Sequence, residues 1–335
     1  MVAISWCAAL LLVAAEGPAL TRYEYERVEM AMPYKLVLYA ADETTANQAA
    51  DAVFARIHQL DLIFSDYKTE SEASRLSAAA PMDKPVAVSR EMGEVLQAAL
   101  KLSAASEGAF DVTIGPLTHL WRWSRRHKEL PSPERLQAAR AAVGYKAVEF
   151  DPVRRTLRLL KPNMRLDFGG IACGYAVDEG LRILRERGLT RAMLDGSGDI
   201  GVGDPPPGKT HWRIGIAKLD NPEGKATRYV NVANCAVTTS GDAFQFVEIN
   251  GVRYSHIVDP RTGLGLTIHS AVTVIAPDCI RADSYTKPPI IMGPQTGFAL
   301  IEKTPGAAAL LFRNVDGKLE ASESRRWHDF EDAAR

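Results

Sequence analysis

The 335-residue chain has only four cysteines, Cys7, Cys173, Cys235 and Cys279, and none forms a CxxC pair or a Cys/His set at zinc spacing. That argues against a structural zinc site and is too few for a disulfide framework. A bridge among the three later cysteines stays open. Charge of one sign is also lacking. Lys plus Arg number 40 and Asp plus Glu 41, for a net charge of −1. No global field draws such a chain to nucleic acid or anionic lipid, so no nucleic-acid partner is expected. Beyond the first fifteen residues, no apolar run is long enough to span a bilayer. What the chain does have is 46% hydrophobic and 24% charged residues, enough to bury a large core and to exclude a disordered or collagen-like protein.

The opening MVAISWCAALLLVAA is apolar over the length of a signal-peptide h-region, and Val13 and Ala15 supply small residues at −3 and −1 of a cleavage site. No Lys or Arg precedes the run. Residues 1–20 are read as a signal peptide, 24–315 as the working domain and 316–335 as a charged tail, mobile over SESRRWHDFEDAAR. The reading implies an exported protein, periplasmic or associated with the inner membrane.

Residues 24–40 read as two strands, with Tyr34, Leu36, Leu38 and Ala40 alternating. Between Asp42 and Ser65, Val53, Ile57, Leu60 and Phe64 line one helical face. Further helices are expected from Ser89 to Ser106, from Ser132 with Pro133 at its first position, and over about 170–187 before Gly188. Strands then dominate, over 192–195, 212–217, 229–233, 236–239, 246–249 and 270–276. A helix near 297–303 and a strand at 307–313 follow. Helices early and strands late predict an α+β fold with a largely antiparallel sheet.

Chemistry-bearing residues gather in five segments: Asp66-Tyr67 with the following Ser71–Arg75; GAFDVTIGP at 108–116; LDFGGIACGYAVD at 166–178; DGSGD at 195–199; and Ser240-Gly241-Asp242 with YSHIVDPRTG at 254–263. Gly169-Gly170 at a helix start would let backbone approach an anion. It is followed by no GKS or GKT, and a packing role fits it as well. His256 can act as a general base; a half-buried histidine bonded to the Asp259 turn fits the same string. Thr-Thr-Ser240-Gly-Asp lacks the GxSxG elbow of a serine hydrolase. Asp167, Asp178, Asp195, Asp199 and Asp283 could serve a hard cation or cap turns. His127 and His211 are placed in polar loops, and His58 on the polar flank of the first helix.

In this order the strings DYKTESEASRL, GAFDVTIGPL, LDFGGIACGYAVD, SGDIGVG, TTSGDA, YSHIVDPRTG, AVTVIAPD and ADSYTK resemble the ApbE family of flavin transferases, over about residues 28 to 315. The resemblance implies an α+β unit of the T-fold kind that is an FAD:protein FMN transferase. Such an enzyme moves FMN from FAD to a threonine of an acceptor protein, and AMP leaves. It implies His256 as the base, with Met30, Tyr67, Ala109, Phe110, Asp111, Asp167, Cys173 and Ile257 as FAD contacts. Mg²⁺ would be held at Gly170 through its carbonyl, at Asp283, and at Thr286 and Lys287. The acceptor would be a membrane redox-complex subunit or a periplasmic flavoprotein. The alternatives are an FAD-binding protein without transfer activity and an FAD pyrophosphatase giving FMN and AMP.

Three positions depart from the family pattern. Met30-Ala31-Met32 stands where Met-Gly-Thr is usual, Cys173 where Lys or Glu is common, and Lys287 where a metal-binding Thr is common. An ammonium about 4 Å from a divalent ion, at an effective dielectric near 20, implies roughly 8 kcal/mol of Coulomb repulsion. Either Lys287 turns outward while Asp283 and Thr286 keep the ion, or its ammonium takes the ion's place. The first is the expectation, because Asp283 and Thr286 retain their oxygens.

Overall fold

The computed structural model describes residues 19–221 and 224–332. The expected leader lies outside them except for its last two residues, as does Cys7. An eight-stranded sheet forms the centre, in the order Thr21–Glu29, Met32–Ala40, Ala192–Gly196, Asp199–Val202, Cys235–Gly241, Ser270–Ala276, Ala308–Val315, Lys318–Glu323. Every neighbouring pair is antiparallel. The α+β expectation holds.

The sheet is covered on both faces, and strand alternation decides which residue goes where. Leu36, Leu38, Val272, Val274 and Leu311 enter the larger core beneath the helices Glu43–Phe64, Arg90–Ala105 and Ala172–Glu186. Their neighbours Val37, Ile275, Leu310, Val202 and Val237 enter a second core. The hairpin Trp212–Ile216/Arg228–Val232 covers that side, together with Trp327. Ser270–Ala276 is buried along its whole length, as a strand covered on both faces must be.

The expected helix starts are observed. Asp42 Oδ1 accepts from Thr45 N at 2.8 Å, and Ser89 and Ser132 cap their helices in the same way. Each cap satisfies a backbone N–H that the first helical turn leaves without a partner. Val53, Ile57, Leu60 and Phe64 are all buried, so the periodicity reports the face correctly. At Gly188 a positive φ of 76° lets Leu189 N reach Leu184 O and close the helix.

Two readings need correction. Helices Glu72–Ala78, Gly115–His127, Cys279–Tyr285 and Lys287–Met292 were not expected. Three are under eight residues, while Gly115–His127 carries a helical period, with Leu117, Leu120, Trp121 and Ser124 buried on one face, that the sequence reading passed over. His127 therefore belongs to a last helical turn, stacked on Trp123, not to a loop. The tail as far as Asp332 is packed, not loose. Lys318–Glu323 adds the last strand, Trp327 is fully buried under the sheet, and Arg228 pairs with both Glu323 and Glu331. Its charge count masked one large apolar anchor.

Candidate active site

Two of the chemistry-bearing segments run side by side. Asp167 N donates to Val112 O at 2.8 Å and Gly115 N to Arg165 O at 3.2 Å, so the 108–115 loop lies along 165–169. Left-handed conformations at Glu107 and Gly108 turn the chain into the first loop, and Ser106 Oγ accepts from Phe110 N. Asp111 is buried and holds that loop from inside. Its Oδ1 accepts from Thr113 N and Oγ1, and its Oδ2 from Tyr145 N. Desolvation pushes its pKa up, while these donors pull it back. Asp111 therefore shapes the loop by its side chain, and Ala109 and Phe110 are buried beside it.

Asp167 is likewise engaged. Oδ1 accepts from Gly169 N and Oδ2 from Thr118 Oγ1 at 2.6 Å. Arg122 reaches the same carboxylate at 3.4 Å and pairs with Asp66. Its guanidinium also sits 4.2 Å from the centre of the Tyr67 ring. Tyr67 is 73% exposed, an aromatic ring held at the surface by a cation on its face. A groove lined by Tyr67, His119, Arg122, Arg125 and Arg165 opens beside it.

Met30 and Cys173, far apart in sequence, meet through Tyr34. Tyr34 OH donates to Met30 Sδ at 3.3 Å and lies 3.2 Å from Cys173 Sγ. The thiol contacts Gly196 O at 3.3 Å and is buried, and desolvation with nearby Asp199 and Asp283 holds its pKa well above the usual range. It stays protonated and is not a nucleophile.

The expectation that Lys287 turns outward is overturned. Lys287 Nζ lies 3.1 Å from Asp283 Oδ1, 2.8 Å from Thr286 Oγ1, 3.2 Å from Ser240 Oγ and 3.4 Å from Asp283 O. Asp283 and Thr286 are buried, so the pair is drawn in by a carboxylate that has no water to turn to. The lysine stem runs over bare Gly170, where a Cβ would stand 2.9 Å from Lys287 Cε and 3.6 Å from Phe110. Gly170 thus serves as clearance for the lysine. Asp199 keeps some surface, but desolvation and the Asp283 charge push its pKa up to about 8, with Lys287 pulling the other way. Mg²⁺ wants near-octahedral oxygens at about 2.0–2.1 Å. These oxygens surround an ammonium at hydrogen-bond distances instead. Among the described residues no group of three or more His, Cys, Asp or Glu is arranged to hold a metal ion. The residues present do not fit the divalent ion that the family resemblance implies.

His256 stands at the end of strand Val252–Ser255. Its Nδ1 lies 3.1 Å from the Gln245 carbonyl, which also accepts from the His256 backbone N–H. A carbonyl only accepts, so Nδ1 carries the proton and Nε2 keeps a lone pair. Desolvation is the largest influence on the ring and lowers its pKa to about 4. Lys287 and Arg125 lower it further, against the Gln245 bond and Asp242. Asp259 does not hold His256; it pairs with Arg261 and shapes the DPRTG turn. Ile257 is buried next to it, its N–H bonded to Ser255 Oγ.

The other acidic candidates are structural. Asp178 accepts from Cys279 N and Ile280 N, tying one helix to the start of the next. Asp195 accepts from Gly198 N in a hairpin turn. Two strings with phosphate-loop spacing, GSGDIG at 196–201 and GDPPPGKT at 203–210, lead into strands and open no helix, so neither cradles a phosphate. Sequence reasoning missed Arg122, and singled out Ser240 without linking it to Lys287. Pro116 just inside the Gly115–His127 helix is the signal that would have placed Arg122 on a helix.

Comparison with known proteins bears on this site. The model of the ApbE family matches residues 30–312. An FAD:protein FMN transferase of Vibrio cholerae is 30% identical over 327 residues, covering 94% of each chain. One from Haemophilus influenzae is 30% identical over 287 residues, covering 84% of this chain and 83% of that protein. Among solved structures, the flavin transferase ApbE from Vibrio cholerae superposes with a TM-score of 0.81 at 28% identity, over 93% of this chain and 100% of that one. The apo flavinyl transferase ApbE of Pseudomonas stutzeri gives 0.80 at 30% identity, over 92% and 96%.

Proposed function

The chain belongs to the ApbE family, and on that footing we propose that it transfers FMN from FAD to a threonine side chain of an acceptor protein, releasing AMP. It is an FAD:protein FMN transferase by its relatives over nearly the whole described length. The observation that carries the mechanism is His256, with Nδ1–H bonded to Gln245 and Nε2 left to accept.

The threonine Oγ–H gives its proton to His256 Nε2 as Oγ bonds to the FMN phosphorus. The phosphoanhydride P–O bond breaks, and AMP leaves with the bridging oxygen and its electron pair. A general base typically contributes about 10²–10⁴-fold to such a step. With a pKa lowered to about 4, His256 is neutral at physiological pH, so Nε2 holds a free lone pair. The exposed Tyr67 ring, stacked by Arg122, is suited to the flat flavin. The 108–115 loop, held by Asp111, supports Ala109 and Phe110 beside it, while Asp167 anchors the adjoining segment. No step runs through Mg²⁺, because Lys287 occupies its oxygens.

We read the chain as exported, on the apolar opening and its small −3 and −1 residues. Its acceptor is then a protein with a threonine accessible outside the cytoplasm, either a membrane redox-complex subunit or a periplasmic flavoprotein. The test is incubation with FAD and a threonine-containing acceptor peptide, followed by in-gel flavin fluorescence. Covalent fluorescence on the peptide supports transfer. Release of free FMN and AMP without it makes the protein a pyrophosphatase, and bound but intact FAD makes it a carrier; either result overturns the reading.

A further inference from the structure

The cation of the candidate site is part of the chain. Four oxygens from Asp283, Thr286 and Ser240 converge within 3.4 Å of one point, and that point is Lys287 Nζ. The lysine is not a surface side chain that happened to fold back. It is the first residue of helix Lys287–Met292, its side chain is mostly covered, and its stem lies over the one residue that leaves room for it, Gly170. Phe110 closes the other side of that passage.

From this we infer that Lys287 is a resident monovalent cation that excludes a divalent ion from these oxygens, so that FAD binding by this protein is independent of Mg²⁺. The physical grounds are distance and charge. The oxygen-to-nitrogen separations suit N–H donors and leave no room for a bare ion at metal–oxygen distances. The Asp283 carboxylate is already neutralised by the ammonium. A divalent ion would have to displace a positive charge that is covalently tethered a few ångströms away. The same ammonium lowers the His256 pKa, which places its field on the base. One side chain thus supplies the site's cation and helps keep the base unprotonated.

The inference rests on the flavin-transfer reading for its choice of ligand, but Mg²⁺ binding to the protein alone tests it separately. Titration calorimetry of the intact protein with Mg²⁺ should show no site, whereas Lys287→Thr, which returns an oxygen and removes the charge, should bind one ion. FAD affinity of the unmodified protein, read by fluorescence, should agree within about twofold between chelator and Mg²⁺. For Lys287→Thr it should tighten about tenfold or more on adding Mg²⁺. Lys287→Met should bind no Mg²⁺ and bind FAD more weakly in both conditions, and circular dichroism checks that each variant folds. Equal behaviour of the unmodified protein and Lys287→Thr towards Mg²⁺ overturns the inference, as does FAD binding by the unmodified protein that needs the ion. If none of the proteins binds FAD while Mg²⁺ binds only Lys287→Thr, the flavin reading fails and the cation assignment stands.

Discussion

His256 Nδ1 faces the Gln245 carbonyl at 3.1 Å, and that single contact fixes which ring nitrogen can take a proton. The carbonyl belongs to the segment just before strand Phe246–Ile249, which pairs with strand Val252–Ser255, immediately ahead of His256. The tautomer is therefore set by the hairpin.

If Nε2 is the base, His256→Ala should lower transfer by about 10²–10⁴ while FAD affinity changes by no more than a few-fold. Single-turnover transfer and equilibrium FAD titration separate the two quantities. A collapse of FAD binding would make His256 a ligand contact instead.

The lowered pKa gives a definite pH profile. Transfer must use the neutral ring, and His256 stays neutral down to about 4. The acid limb for this group should therefore fall near pH 4, where an unperturbed histidine would give one near about 6.5. The sign for stability agrees. The unfolded chain takes up its proton near about 6.5 and the folded chain only near 4. The His256 contribution is complete above about 6.5 and is lost as pH falls through 4. Chemical denaturation at several pH values, compared with His256→Ala, reads this slope.

Met30 and Ala31 form the hairpin tip between the first two strands, both at positive φ, 50° and 60°. A side chain at Ala31 is strained there and glycine is not. Ala31→Gly should raise stability by about 0.5–1 kcal/mol, since relief of strain outweighs the added freedom of the unfolded chain. A higher urea midpoint with unchanged slope would show it; a lower midpoint would mean the tip is not strained.

Trp327 anchors the C-terminal segment, fully buried and with its indole N–H unpartnered among the described residues. Trp327→Ala should cost about 3–5 kcal/mol by leaving a cavity. Trp327→Phe should cost much less, because it keeps most of the apolar volume and removes the unpaired donor. Equal and small losses for both would return the segment to the status of a loose tail.

The sequence alone determined what depends on neighbours in the chain. Asp42, Ser89 and Ser132 mark helix starts because capping is a bond between residues three apart. The face of Val53, Ile57, Leu60 and Phe64 follows from helical geometry, and the family resemblance rests on contiguous strings. The tertiary structure decided what depends on residues far apart. Cys173 meets Met30 only through Tyr34, and Arg122 joins Tyr67 to Asp167. Trp327 finds its core across the sheet. Lys287 was the sharpest case. From sequence, its charge argued that it should avoid the site. In the fold, Asp283 and Thr286 are buried on its own turn of chain, Ser240 approaches from a strand 47 residues earlier and Gly170 leaves the passage open. The Asp283–Lys287 spacing is a local i,i+4 pair; what packing adds is the burial of that carboxylate, the approach of Ser240 and the clearance at Gly170.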